Sequence, residues 1–239
     1  MIPLRDANPT RRTPYVTIAL ILACFAIFAY ELYLQATSDD RALEAFLNNY
    51  GVVPRDLSAV LAQRNLVSPP VASVVTSMFL HGGVLHLLGN MLYLWIFGNN
   101  IEDRLGRPAF LVFYLAGGYA AALTQVAIEP NSGQPLIGAS GAIAATLGAY
   151  VVLYPGARIL SLVFLGFFYQ LIPVPALIVL GFWFVLQIID GFTSLGAAAS
   201  DASGVAFFAH IGGFVLGLAV GLLIRGVFRF RRRPQFGVG

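Results

Sequence analysis

The chain has no lysine, a single cysteine and three histidines in 239 residues. Charge of either sign is scarce: Asp, Glu, Lys and Arg make up 10% of the residues, against about 25% in soluble domains. With 58% hydrophobic residues and a mean hydropathy of +0.80, the chain carries more apolar surface than one water-soluble core can hide. It is therefore read as an integral membrane protein. The lone Cys24, set among Leu, Ala and Phe, excludes an internal disulfide framework and is expected in packing or against lipid. There is no Walker loop, no CxxC pair and no HExxH helix, so nothing points to a bound nucleotide, a redox dithiol or a zinc protease. No cofactor or metal is expected. The GASGA string places its second glycine directly after the serine and so fails the G-x-S-x-G elbow of α/β hydrolases.

Apolar runs near the length needed to cross about 30 Å of hydrocarbon predict six helices, at residues 14–36, 84–98, 108–128, 139–154, 174–189 and 206–224. The first run is longer than a signal-peptide core and is expected to stay. All fourteen basic residues are arginines, a bias of composition more than of function. Their placement orients the chain. With the N-terminus inside, Arg5, Arg11, Arg12, Arg104, Arg107, Arg158, Arg225, Arg229, Arg231, Arg232 and Arg233 lie inside and only Arg41, Arg55 and Arg64 outside. The expected organisation is a short cytoplasmic N-terminal segment (1–13), a six-helix membrane domain (14–225) and a cytoplasmic Arg-rich tail (226–239). No separate soluble domain is expected within these residues. The tail RFRRRP reads as an orientation signal touching lipid phosphates, not as a nucleic-acid patch.

In this topology the second, fourth and sixth helices begin on the outer side, and those beginnings carry His86, Ser140 and His210. The fourth helix spans only about 24 Å, so the segment 129–138 must dip inward to meet it, and Ser140 should lie below the membrane surface. Irregular backbone at that depth needs protein or a wet cavity around it. Ser140, Ala144 and Gly148 repeat along one face of the fourth helix, as do Gly213 and Gly217 on the sixth, and such small-residue faces let backbones meet. Contact there would bring the Ser140 hydroxyl to the His210 imidazole, the pairing a nucleophile and its base require. The alternative is ordinary small-residue packing around a structural histidine. His86 and Asn90, four apart on the second helix, could donate to an oxyanion, and the first N–H groups of the fourth helix add a further donor. Proteolysis within the membrane is the chemistry this set implies.

The combination His81-x4-His86-x3-Asn90, Gly138-Ala139-Ser140-Gly141 and Ala209-His210-x2-Gly213-x3-Gly217 resembles the rhomboid intramembrane serine proteases over roughly residues 76–221. The resemblance implies an all-α membrane protein built as a bundle of six transmembrane helices, with a Ser140–His210 dyad. It implies an oxyanion hole from His86, Asn90 and the Ser140 backbone, with Gly138, Gly141, His81, Gly213 and Gly217 in support. Substrates would be single-span transmembrane proteins cut near the outer end of their span, in the plasma (bacterial inner) membrane. A catalytically silent client-binding relative and a small transporter are the alternatives. Two features of well-studied bacterial members are replaced here: a Trp-Arg pair in the first external loop by Ala72 and Ser73, and a tyrosine that stacks on the catalytic histidine by Ala144. Phe207 or Phe208 is expected to pack on His210 instead. Asp190 and Asp201 are acids on the outer side that could orient His210, although both are expected in water.

Elsewhere the periodicity predicts short amphipathic helices within 37–76 lying in the interface. The small-residue stretch 191–205 reads as a lid or a plain connector. Glu102, Asp103 and Arg104 read as a solvated, ion-paired turn. Residues 158–172 should lie at the inner interface before Pro173 and Pro175 restart a helix.

Overall fold

The computed structural model describes residues 1–37, 40–165, 168–194 and 206–231. Strand β1 (Ile2–Asp6) precedes the first long helix, α1 (Tyr15–Thr37). Three short helices follow, α2 (Asp40–Tyr50), α3 (Pro54–Ala62) and α4 (Pro69–Ser77), occupying the region expected to hold interfacial helices. The second span is longer than predicted. It runs as α5 (Val84–Tyr93), a π turn (Leu94–Gly98) and α6 (Asn99–Leu105) without leaving the helical path. Then come α7 (Arg107–Ile128), α8 (Ser140–Leu153), a hairpin of β2 (Arg158–Leu165) and β3 (Phe168–Pro175), α9 (Ala176–Ser194) and α10 (Phe207–Arg231). The chain is a multi-pass, mainly helical membrane protein. Helices α1, α7 and α10 are each long and apolar enough to span alone, and α8 and α9 are shorter apolar helices between them.

No strand is expected from the sequence. The structure has a three-stranded antiparallel sheet in the order β1-β2-β3, pairing Ile2 with Leu162 and Leu165 with Phe168. Residues 158–165 and 168–172 are thus paired strands in the stretch expected at the inner interface. The two prolines of β3 are tolerated because it is an edge strand, where a missing N–H leaves no ladder bond unmade. Asp6 at the end of β1 accepts from Asn100 Nδ2 (2.7 Å), the Tyr150 hydroxyl (3.0 Å) and Asn8 Nδ2 (3.3 Å). Burial pushes its carboxyl above the usual range, against the pull of these bonds. The N-terminal strand is thereby fastened to the far end of the helix that begins at Ser140. The same bonds place the N-terminus, the end of the second span and the end of α8 on one face of the molecule, opposite Ser140.

Glu102 corrects the expectation of a solvated turn. Its side chain is 3% exposed and accepts from the backbone N–H of Val16 (3.0 Å) and Thr17 (2.7 Å) and from the Thr17 hydroxyl (2.8 Å). Asp103 accepts from the Arg11 N–H at 3.2 Å. A helix start leaves four donors unpaired and carries positive dipole charge, so a carboxylate from another span meets the first donors of α1. Glu102→Ala removes three bonds at once and leaves buried donors unmet. The expected cost is about 2 kcal/mol, read as a lower melting temperature of the detergent-solubilised protein.

Helices α8 and α10 meet along their backbones. A Cβ added at Gly213 would run into the Gly141 carbonyl oxygen, at Gly217 into that of Ala145, and at Gly148 into that of Phe214. Helix α7 closes the other side, with Ala121 against Gly141 and Ala145 against Gly117. The core continues through Phe97, Phe110, Tyr114 and Tyr150, all essentially inaccessible.

Candidate active site

Three segments converge at the face opposite the N-terminus. The first is the approach to α8. Leu136 exchanges both backbone bonds with Val52 (Leu136 N to Val52 O, 2.7 Å), and the Gly138 N–H donates to the Ser77 carbonyl at 2.8 Å. The region of the short helices α2–α4 therefore holds the irregular segment before Ser140. Gly138 has φ +118°, a conformation that L side chains rarely adopt, and this turn delivers Ser140 to the helix start.

The second segment is the start of α10. Gln125 of α7 accepts from the Ala209 N–H at 3.1 Å and donates to Glu129 at 2.6 Å, so α7 fixes where α10 begins. His210 is 9% exposed, and its Nε2 lies 2.7 Å from the Ser140 Oγ. The close backbone contact of the two helices makes that approach possible. Residues seventy apart in sequence are joined by a bond that only small residues at the crossing permit.

The third segment is α5. The Gly82 N–H donates to His86 Nδ1 at 3.3 Å, which leaves the ring proton on Nε2. A methyl group placed on Gly138 would sit 2.8 Å from His86 Nε2 and 3.6 Å from Asn90 Nδ2, so both nitrogens point at the space that this glycine leaves open. Asn90 Nδ2 is buried and without a partner among the described residues. His81 is not at the hydroxyl. It stands edge-on to His86, with ring centroids 5.2 Å apart, takes up the Phe79 carbonyl through Nδ1 (3.2 Å), and gives its backbone N–H to the buried Glu31 carboxylate (3.3 Å). A cavity of about 640 Å³ opens over the group, lined by His86, Asn90, Tyr93, Ser140, Trp183 and His210. Among the described residues no cluster of three His, Cys, Asp or Glu side chains is placed to hold a metal ion.

A family model, the Rhomboid domain, matches residues 69–227, the stretch that carries His86, Asn90, Ser140 and His210. The chain belongs to the rhomboid family. Among similar proteins, rhomboid protein 1, mitochondrial, of Saccharomyces cerevisiae is 31% identical over 186 residues, 75% of this chain and 49% of the yeast protein. Rhomboid protease GluP of Bacillus subtilis is 34% identical over 155 residues, 65% of this chain and 27% of GluP. RHOMBOID-like protein 1 of Arabidopsis thaliana is 26% identical over 249 aligned residues, 94% of this chain and 55% of the plant protein. The chain spans about half or less of the length of these rhomboid relatives.

Within this rhomboid site α9 supplies two contacts to His210. Trp183 of α9 packs on the His210 ring, with centroids 5.8 Å apart at 41°. The partner of His210 Nδ1 is Gln187 of α9, at 2.5 Å, one turn before Asp190. Asp201 and most of the segment 191–205 read as a lid lie outside the described residues. Trp183 and Gln187 are four apart, so α9 presents both to one ring from a single face. A signal for this was available. Gln187 is the one uncharged hydrogen-bonding side chain without a ring in the predicted span 174–189, and polar groups at membrane depth face the bundle interior.

Proposed function

We propose that this rhomboid is an intramembrane serine endopeptidase that hydrolyses peptide bonds in or near the transmembrane segments of single-span membrane proteins. The observation that carries the reading is the 2.7 Å approach of Ser140 Oγ to His210 Nε2 beneath a cavity into which two N–H donors also point. The name of the Bacillus relative, a rhomboid protease, agrees with it.

In this reaction Ser140 Oγ attacks the carbonyl carbon of the scissile bond while His210 Nε2 takes the hydroxyl proton. Negative charge moves to the former carbonyl oxygen. It is met by His86 Nε2–H, Asn90 Nδ2–H and the backbone N–H of Ser140 at the positive end of α8. The C–N bond then breaks, and His210 passes its proton to the leaving amine. Water attacks the resulting ester with His210 again as base, releasing the carboxyl product and restoring the Ser140 hydroxyl. An intact substrate helix holds its carbonyls in internal hydrogen bonds, so the segment to be cut must unwind to enter. Helix-weakening residues below a small residue at the cut are the expected substrate features. With the N-terminus on the cytoplasmic side, the arginine count turns the cavity toward the extracytoplasmic side of the membrane.

The test is a fluorophosphonate probe on the purified protein, followed by peptide mapping. Labelling at Ser140 that is lost in Ser140→Ala is the expected result. Labelling of another residue overturns the nucleophile assignment, and a silent client-binding protein or transporter would label at neither. Asn90→Ala is expected to lower turnover of a model single-span substrate on the order of 100-fold while leaving the labelled site unchanged. Equal turnover in the parent and Asn90→Ala would remove Asn90 from the oxyanion hole.

A further inference from the structure

The hydrogen bond from Ser140 to His210 makes a demand on the rest of the ring. For the hydroxyl to donate, Nε2 must present its lone pair, so the ring proton of neutral His210 must sit on Nδ1. Free imidazole has no such obligation, and a ring holding its proton on Nε2 could not act as base toward this serine. Something must hold the proton on Nδ1. Gln187 lies there at 2.5 Å with its carbonyl oxygen toward the ring, while Trp183 from the same face of α9 limits how the ring can turn.

We propose that Gln187 is a positioning residue: it accepts the Nδ1 proton of His210, fixes the tautomer that can take the Ser140 proton, and supports the imidazolium formed in the reaction. The site is thus a serine–histidine–glutamine relay in which an uncharged amide stands where soluble serine hydrolases carry a carboxylate. A neutral acceptor suits this depth. A carboxylate would have to be desolvated to reach Nδ1, whereas an amide orients the ring without a buried charge. The catalytic consequence rests on the proposed reaction; the tautomer does not.

Both can be read separately. The chain contains only His81, His86 and His210, so histidine-selective 15N labelling gives three imidazoles, and His210→Ala assigns the third. In the parent, the His210 proton is expected on Nδ1. In Gln187→Met, which keeps the length and loses the strong acceptor, the proton is expected to redistribute toward Nε2. Turnover of a model single-span substrate should then fall on the order of 10- to 100-fold in kcat with KM within about twofold, since the ring is disordered and not the binding cavity. Gln187→Glu, which retains an acceptor oxygen, should recover most of the loss. A His210 proton that remains on Nδ1 in Gln187→Met overturns the inference, as does an equal kcat in an active parent and Gln187→Met. Failure of the protease reading looks different: the parent is then as inert as Ser140→Ala, while the 15N comparison still shows whether Gln187 holds the proton.

Discussion

Ser140→Ala and His210→Ala are each expected to lower turnover of a model single-span substrate by roughly 10⁴- to 10⁶-fold, with the double variant no slower than either single one. The reason is that the two side chains act as one unit. The hydroxyl is nucleophilic only while the imidazole takes its proton, and the imidazole has nothing to deprotonate once the hydroxyl is gone. Residual hydrolysis would come from the oxyanion donors, which neither change removes. Both substitutions remove polar atoms from a small-residue interface without adding bulk, so melting temperatures should stay near the parent's. The measurement is cleavage in proteoliposomes, with thermal unfolding of the same preparations. Additive losses in the double variant would mean that Ser140 and His210 contribute through separate routes, and the 2.7 Å contact between them would not be the reacting pair.

The parts of this arrangement that were legible in the sequence share one property: they follow from rules about lipid. Polar side chains are costly at membrane depth, so His86, Asn90, Ser140 and His210 stood out, and arginine counting placed their helix starts on one side. The four-residue spacing of small residues announced the α8–α10 contact. Where the expectation failed, the missing information was the partner. Glu102 looked solvated because it sits beside Asp103 and Arg104, but its partners are the N–H groups of Val16 and Thr17. The strands β2 and β3 are too apolar to show the alternation of a half-buried strand, so periodicity could not separate them from an interfacial segment. Gln187 carries no charge, so a pattern that looks for acids such as Asp190 and Asp201 does not single it out. A neutral amide meets the same geometric need where charge is expensive.

Gly213→Val is expected to lower turnover at least 100-fold and to destabilise the protein by about 1–3 kcal/mol. A side chain at this position meets the carbonyl oxygen of Gly141, the residue after Ser140, and backbone cannot rotate aside as a side chain would. The helices must part, and separation of about 1 Å takes the Ser140–His210 pair out of hydrogen-bond range. Gly217→Val, against Ala145 one turn further along, should cost similar stability with a smaller loss of turnover, because α10 can pivot about the intact Gly213 contact. Gly226→Ala, where an added Cβ meets nothing within 4 Å, serves as the control and should match the parent in both measurements. A Gly213→Val protein that melts and turns over like Gly226→Ala would show that the two backbones do not touch at this crossing. The proposed nucleophile and base would then lack the contact that holds them together.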